Sequence, residues 1–256
     1  MYTNSEGIVL RQIKTTGGRR IVIIFTKRYG KISMGTGSNE RNAKSKAALA
    51  IRPFTYGTYE FYKNREYYNL STGEVKRSYY AIGEDIDKYM SASFVLELTE
   101  KFLPEDIPQP RIFNLLLDFL EALEKRKRRF ETLILAYELK ALGILGVAPV
   151  MDKCVLCGSE KVSRFSVIDG GMICEECFKK ILEEDQNKNR LRLISKTEFD
   201  IVSIINFFNR KSFGSFEKIA LEEQISDALQ SIIRDYYSYH LDIGKLKSEG
   251  MLPQNL

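Results

Sequence analysis

The sequence predicts an α+β protein in which an N-terminal OB-fold β-barrel is followed by an all-α domain carrying an inserted four-cysteine zinc finger. Three observations predict it. Residues 6–80 form short apolar runs separated by glycine-rich turns, unbroken by a long helix. From Ile82 onward the apolar spacing becomes helical. All four cysteines of the 256-residue chain fall in one block, C-x2-C-x16-C-x2-C. The expected divisions are a nucleic-acid-binding barrel at 1–80, helical parts at 81–150 and 186–256, and the finger at 151–185.

In the barrel, Gly7–Ile13 reads as a strand and Thr15-Thr-Gly-Gly18 as the turn after it. Arg19–Thr26 is more apolar and therefore central. Lys27-Arg-Tyr-Gly30 turns into a strand over 31–36, and two more strands follow at Phe54–Lys63 and Glu66–Leu70. Five such strands suit an OB-type barrel, which takes single strands in a basic groove with aromatic stacking platforms. Arg19, Arg20, Lys27, Arg28, Lys31, Arg41 and Lys44 supply the cations, interleaved with Phe25, Tyr29, Phe54, Tyr56, Tyr59 and Tyr62. Strand alternation should turn half or more of those rings inward.

The net charge of +5 is unevenly distributed. Residues 1–80 hold 15 Lys and Arg against 5 Asp and Glu, and the remainder holds 24 against 29. A basic module on a mildly acidic body is the footprint of a polyanion-binding protein, nucleic acid foremost.

Helices are expected over Ile86–Phe102, Arg111–Glu124 and Phe130–Leu145, the second with Ile112, Leu115, Leu116, Phe119, Leu120 and Leu123 on one face. Between the last two runs Lys125-Arg-Lys-Arg-Arg129, either a solvated helix end or a docking patch for an acidic tail or phosphates. Ser195-Lys-Thr-Glu198 reads as a capping box before Phe199–Asn209, and Phe216–Leu241 as one long final helix.

Cys154, Cys157, Cys174 and Cys177 have the spacing of two knuckles around one structural Zn2+. Gly158 lets the first knuckle turn back, Phe165–Gly171 reads as a strand and turn, and Glu175–Glu184 as a helix that buries Phe178, Ile181 and Leu182. Two disulfides or a redox pair are the competing readings. The first suits a secreted chain, and Met1-Tyr-Thr-Asn-Ser-Glu6 lacks the basic and apolar parts of a leader. The second needs a βαβ setting that the pattern does not offer.

Catalytic signatures are sparse. The single histidine, His240, cannot build a histidine-rich metal site; there is neither a G-x-x-x-x-G-K-[ST] loop nor a G-x-S-x-G elbow, and no cysteine lies outside the cluster. Glu84-Asp-Ile-Asp87 could hold Mg2+ but sits where a helix starts. The expectation is a binding protein rather than an enzyme.

Several blocks, in order, resemble the bacterial recombination mediators of the RecO family. They are Gly7–Leu10, Ile24–Lys31, Pro53–Thr55, Pro110–Leu116, Leu142–Pro149, Cys154–Gly158, and Phe165-Ser166 through Gly170–Cys174. The resemblance implies the same barrel, helices and zinc finger, and a cytoplasmic, nucleoid-associated protein. It implies binding to single- and double-stranded DNA and annealing of complementary strands without ATP. It also implies partnership with RecR, contact with the acidic tail of single-strand-binding protein, and help in loading RecA. Lys27, Arg28 and Lys31 lie in a matching block, whereas Arg19, Arg20, Arg41 and Lys44 are added from charge alone. For the acidic tail the candidates are Arg111, Arg126, Arg128 and Arg129. The rival readings are a zinc-containing RNA-binding or transcription-associated factor, and a metal-dependent nucleic-acid enzyme using Glu84, Asp85 and Asp87.

Overall fold

The computed structural model describes residues 2–16, 20–36, 46–65, 67–184, 188–216 and 219–252. The chain forms two compact units, Met1–Lys125 with Leu246–Pro253, and Arg126–Lys245. The barrel's unit thus extends past residue 80 to take in two of the expected helices, because they cover its outer side chains.

In the first unit, β1 (Tyr2–Lys14), β2 (Arg20–Thr26), β3 (Gly30–Gly35), β4 (Tyr56–Asn64) and β5 (Tyr67–Arg77) close a barrel in the order β1-β2-β3-β5-β4. Only the β3–β5 seam is parallel, at Met34↔Tyr68 and Gly35↔Asn69. The short helix α1 (Lys46–Ala50) lies between β3 and β4, too brief to register as a helical period. A five-stranded barrel is filled by side chains, and Val9, Val22, Ile24, Ile32, Met34, Tyr59 and Phe61 fill this one. The fully buried Tyr59 hydroxyl donates to the Ala50 carbonyl at 2.7 Å, tying α1 to the barrel core.

Next come α2 (Tyr80–Gly83), α3 (Ile86–Phe102) and α4 (Pro110–Lys125). Asp85 caps α3 by accepting from the N–H groups of Asp87 and Lys88, so the acidic run serves a helix start. All six expected apolar positions of α4 are buried. Its Phe113 meets Phe25 of β2 edge-on at 5.4 Å. Arg11 of β1 grips Glu100 of α3 with two hydrogen bonds of 2.6 and 2.7 Å. Glu97 of α3 accepts from the N–H groups of Lys247 and Ser248 and from the Ser248 hydroxyl, which holds the returning segment on this unit.

The second unit contains α5 (Glu131–Leu145), β6 (Arg164–Ser166), β7 (Gly171–Ile173), α6 (Glu175–Glu184), α7 (Lys188–Arg192), β8 (Ile194–Ser195), α8 (Ile201–Arg210) and α9 (Glu223–Leu241). α5 is buried on nearly every side, and Tyr237 of α9 donates to its Glu138 carbonyl at 2.8 Å. His240 stacks on Tyr236 with ring centroids 4.2 Å apart and hydrogen-bonds the Val167 carbonyl at 2.6 Å, a packing role.

Two expected features differ here. Ser195 is no helix cap: it pairs with Phe165 as β8, and Asp200 caps α8 instead by accepting from the Ser203 N–H. The final helix begins at Glu223 rather than Phe216, after a 3-10 turn at Phe213–Phe216. The Phe216 carbonyl accepts from the Ile219 N–H at 3.1 Å, closing a tight turn where a helix would bond four residues on, and Arg126, only 6% exposed, anchors this connection by donating to the carbonyls of Phe216, Ile219, Arg128 and Arg129.

Arg126→Met strips these buried carbonyls of their donor and is expected to cost about 2–3 kcal/mol, whereas Arg128→Ala at the exposed neighbour should stay within about 0.5 kcal/mol. Urea midpoints at constant slope measure both. Equal midpoints for the two variants would show that Arg126 clamps nothing.

Candidate metal centre and nucleic-acid interface

The four cysteines converge as their spacing requires. Their sulfurs all lie within 4.8 Å of one another, and Cys157 Sγ is 3.6 Å from Cys174 Sγ. Zinc–sulfur bonds of about 2.3 Å give a tetrahedral edge of roughly 3.8 Å, so the geometry suits one tetrahedral ion. All four are free thiols. Gly158, at φ +77°, makes the expected reversal, and its N–H donates to the Cys154 carbonyl at 2.8 Å. The β6–β7 hairpin and α6 carry the second pair, with Ile173 and Ile181 packed behind the sulfurs. Leu182, expected on the buried face of α6, is instead 50% exposed.

The thiols do not ionise alike. Burial opposes the Cys154 thiolate, but N–H groups of Cys174, Cys157 and Leu156 outweigh it and hold this thiol at about 6. Burial and the neighbouring sulfurs push Cys177 far up. A divalent cation held by Cys154, Cys157, Cys174 and Cys177 would supply the charge that lets all four ionise together, and four thiolates around one tetrahedral ion would leave no position for a reacting water. Among the described residues no other group of His, Cys, Asp and Glu is assembled to hold an ion.

On the barrel, Lys27 and Arg28 form the exposed β2–β3 turn. Lys27 pairs with Glu6 at 3.3 Å, and the Arg28 guanidinium lies 5.7 Å from the Tyr29 ring centre. Lys31 is drawn inward: its ammonium pairs with Glu105 at 3.2 Å and donates to the Glu100 carbonyl at 2.9 Å. Arg20 is half-buried at the start of β2. Arg19, Arg41 and Lys44 lie outside the described residues. Of the six interleaved aromatics, Phe25, Phe54 and Tyr59 are buried, but only Tyr59 belongs to the barrel interior: Phe25 points outward onto Phe113, and Phe54 lies in the turn before β4.

The acidic-tail candidates separate. Arg111 is exposed on the first turn of α4, Arg128 is exposed after it, and Arg129 pairs with Glu131 and Glu223 at 3.7 Å each. Arg126 faces inward as described. Two open grooves in the first unit, of about 430 and 520 Å3, share Pro53, Phe54 and Tyr89, and none of these four arginines lines either.

Sequence reasoning overlooked Tyr2, Tyr67 and Tyr68. Adjacent Tyr67 and Tyr68 opening a strand were a usable signal, because one of two successive strand residues must point outward. It also overlooked Glu6, which accepts from Lys76, from the Tyr56 hydroxyl at 2.8 Å and from Lys27.

Comparison with known proteins places this sequence in a family. Residues 1–79 match the family model described as Recombination protein O N terminal, and residues 83–250 match Recombination protein O C terminal. A protein named DNA repair protein RecO from Alkaliphilus metalliredigens is 30% identical over 244 residues, covering 94% of this chain and 95% of its own. The protein of that name from Listeria monocytogenes is also 30% identical, over 91% of this chain and 87% of its own. That from Halalkalibacterium halodurans is 27% identical over 99% and 95%.

The Glu6 cluster predicts an acid-dependent contribution to stability. Hydrogen bonds from Lys76 and Tyr56 lower the Glu6 pKa from 4.5 to about 2, so its contribution is complete above pH 4.5 and is lost as pH falls toward 2. Glu6→Gln should therefore cost up to about 1 kcal/mol at pH 7, screening included, and progressively less below pH 4. Urea midpoints at pH 7 and pH 3 test this; a constant difference would rule out the carboxylate as the source.

Proposed function

The chain belongs to the RecO family of DNA repair proteins, and from that membership we propose that it is a recombination mediator acting through its barrel. It binds single- and double-stranded DNA, anneals complementary strands without ATP, and with RecR helps load RecA onto DNA covered by single-strand-binding protein. No catalytic residue takes part. The observation that carries this reading is a closed five-stranded barrel bearing Lys27 and Arg28 on an exposed turn beside Tyr29.

Annealing requires two phosphate backbones to be neutralised by contacts weak enough to exchange. Lys27 suits that role, since a phosphate need only displace the Glu6 carboxylate 3.3 Å away. Arg28, Arg20, Lys31, Arg19, Arg41 and Lys44 complete the proposed phosphate contacts. The acidic tail of single-strand-binding protein is proposed to meet exposed Arg111 on the first unit, or exposed Arg128 with half-buried, ion-paired Arg129 on the second, with Arg126 holding the loop that carries the latter two. The thiolate set supports Zn2+ as a fold-stabilising ion held by Cys154, Cys157, Cys174 and Cys177. Among the described residues no helix is long and apolar enough to cross a membrane, and a cytoplasmic, nucleoid-associated location accords with the role.

Two outcomes test this reading. Lys27→Ala with Arg28→Ala should weaken binding to single strands and duplexes alike and flatten the salt slope by about one unit per lost phosphate contact. Annealing of complementary fluorescent oligonucleotides without ATP should slow in step, and an unchanged rate would place the groove elsewhere. The purified protein should also contain one zinc per chain, and stripping it, or replacing Cys154 and Cys157 by serine, should lower the melting temperature. A metal-free protein melting at the same temperature would refute the stabilising role.

A further inference from the structure

In an OB-type barrel the nucleic-acid face is ordinarily built on strands two and three. Here that face is largely covered. Phe25 of β2 has no exposed surface and packs on Phe113, and Lys31 of β3 is held by Glu105 and the Glu100 carbonyl. The β3 backbone is occluded too: at Gly30, φ +72°, a Cβ would stand 2.3 Å from the Ile107 carbonyl oxygen, and the Asp106 N–H donates to the Lys31 carbonyl at 3.1 Å.

The edge where β1 begins, β4 ends and β5 begins is open. Tyr67 is 75% exposed and Tyr2 62% exposed, the largest fractions among the exposed large hydrophobic side chains of the described residues apart from Tyr80 and Ile86. Tyr2 pairs with Tyr62 across β1–β4, their ring centres 5.1 Å apart, and Tyr67 follows on β5 opposite Asn64. Lys63 and Arg65 are exposed between them, and Arg65 takes φ +56° at the turn. Beneath runs a row of rings, Tyr68 on Phe61 at 5.7 Å and Phe61 on Tyr29 at 5.4 Å. Cations close both ends, with the Lys63 ammonium 4.9 Å above Tyr68 and the Arg28 guanidinium 5.7 Å from Tyr29. Burial and the negative charge of nearby Asp106 raise the pKa of the Tyr68 hydroxyl.

A single exposed tyrosine is ordinary. Two at one end of the barrel, Tyr2 and Tyr67, with half-buried Tyr62 against Tyr2 and two exposed cations between, have the composition of a single-strand platform, where rings stack on bases and cations meet phosphates. We propose that this edge stacks the unpaired bases of single-stranded DNA on Tyr67 and on the Tyr2–Tyr62 pair, with Lys63 and Arg65 on the phosphates. The proposal rests on the DNA-binding reading of the barrel and deepens it. Stacking covers the faces of bases and leaves their hydrogen-bonding edges uncovered, so a strand held here can still find its complement.

The experiment uses the full chain with oligothymidylate, an abasic oligonucleotide of equal length, and a blunt duplex, each across a salt series. Tyr2→Ala with Tyr67→Ala should lose about tenfold or more in affinity for oligothymidylate, keep its affinity for the duplex and the abasic strand, and leave the salt slope unchanged. Tyr67→Phe should bind like the parent. The chain has no tryptophan, so Tyr67→Trp is a lone reporter, expected to be quenched by oligothymidylate and not by the abasic strand. Equal loss on all three probes, or undiminished binding of oligothymidylate, would overturn the stacking edge while leaving the barrel reading intact. Tighter binding of ribo-oligonucleotides would overturn the assignment to DNA. A parent protein that binds none of the probes at low salt would remove the barrel reading, and the edge with it.

Discussion

A five-stranded barrel is too narrow to hold anything but its own side chains, and that constraint orders the first unit. Tyr59 and Phe61 of β4 must point inward to fill it, so Tyr62 must point outward, where it meets Tyr2. Filling from within also leaves an outer surface for others to cover. α4 takes the β2 side through Phe113 on Phe25, and residues 105–107 take the β3 side through Glu105, Asp106 and Ile107. Among the described residues the β1–β4–β5 edge stays uncovered, so the surface open to a ligand is set by packing that the barrel strands alone do not specify.

This separates what was legible in the sequence from what was not. Features fixed by local spacing were legible. The cysteine pairs converge because two residues between ligands define a knuckle, and α3 and α4 have nearly the expected bounds because a proline-flanked run and an amphipathic stripe are local signals. Features fixed by a distant partner were not. Nothing near Phe216 reveals that its carbonyl will face the Arg126 guanidinium, ninety residues earlier. Likewise Ser195-Lys-Thr-Glu198 satisfies a capping pattern, yet Phe165 claims Ser195 for a strand. The run Lys125–Arg129 looks uniform as text, but in the structure one arginine is buried, one is ion-paired and one is exposed. Phe25 and Tyr62 both point out of the barrel, and only the presence of Phe113 makes one core and the other surface.

The barrel and the finger solve stability differently. The barrel unit buries aromatic and aliphatic side chains, whereas the finger has a small apolar cluster in which the sulfurs of Cys154, Cys174 and Cys177 are themselves members. A two-strand hairpin extended by β8 cannot hold such a segment by backbone pairing alone. Thiols brought this close resist ionising together, which is why the donor set calls for a cation and why its cost and benefit are local to the finger.

Electrostatics on the barrel follow a different logic. The positive charge of residues 1–80 suggests a strong phosphate trap, but much of it is already answered from within: Glu6 holds Lys27 and Lys76, Glu105 holds Lys31, and Glu124 holds Arg77. A phosphate arriving at Lys27 exchanges one carboxylate partner for another anion instead of meeting a bare charge. The net gain per contact is therefore small. Such exchange favours binding that is readily reversed. Tight binding would hold two strands apart on separate molecules. In the proposed function, shallow phosphate binding combined with rings that address only unpaired bases would let a strand be held while single and released once paired.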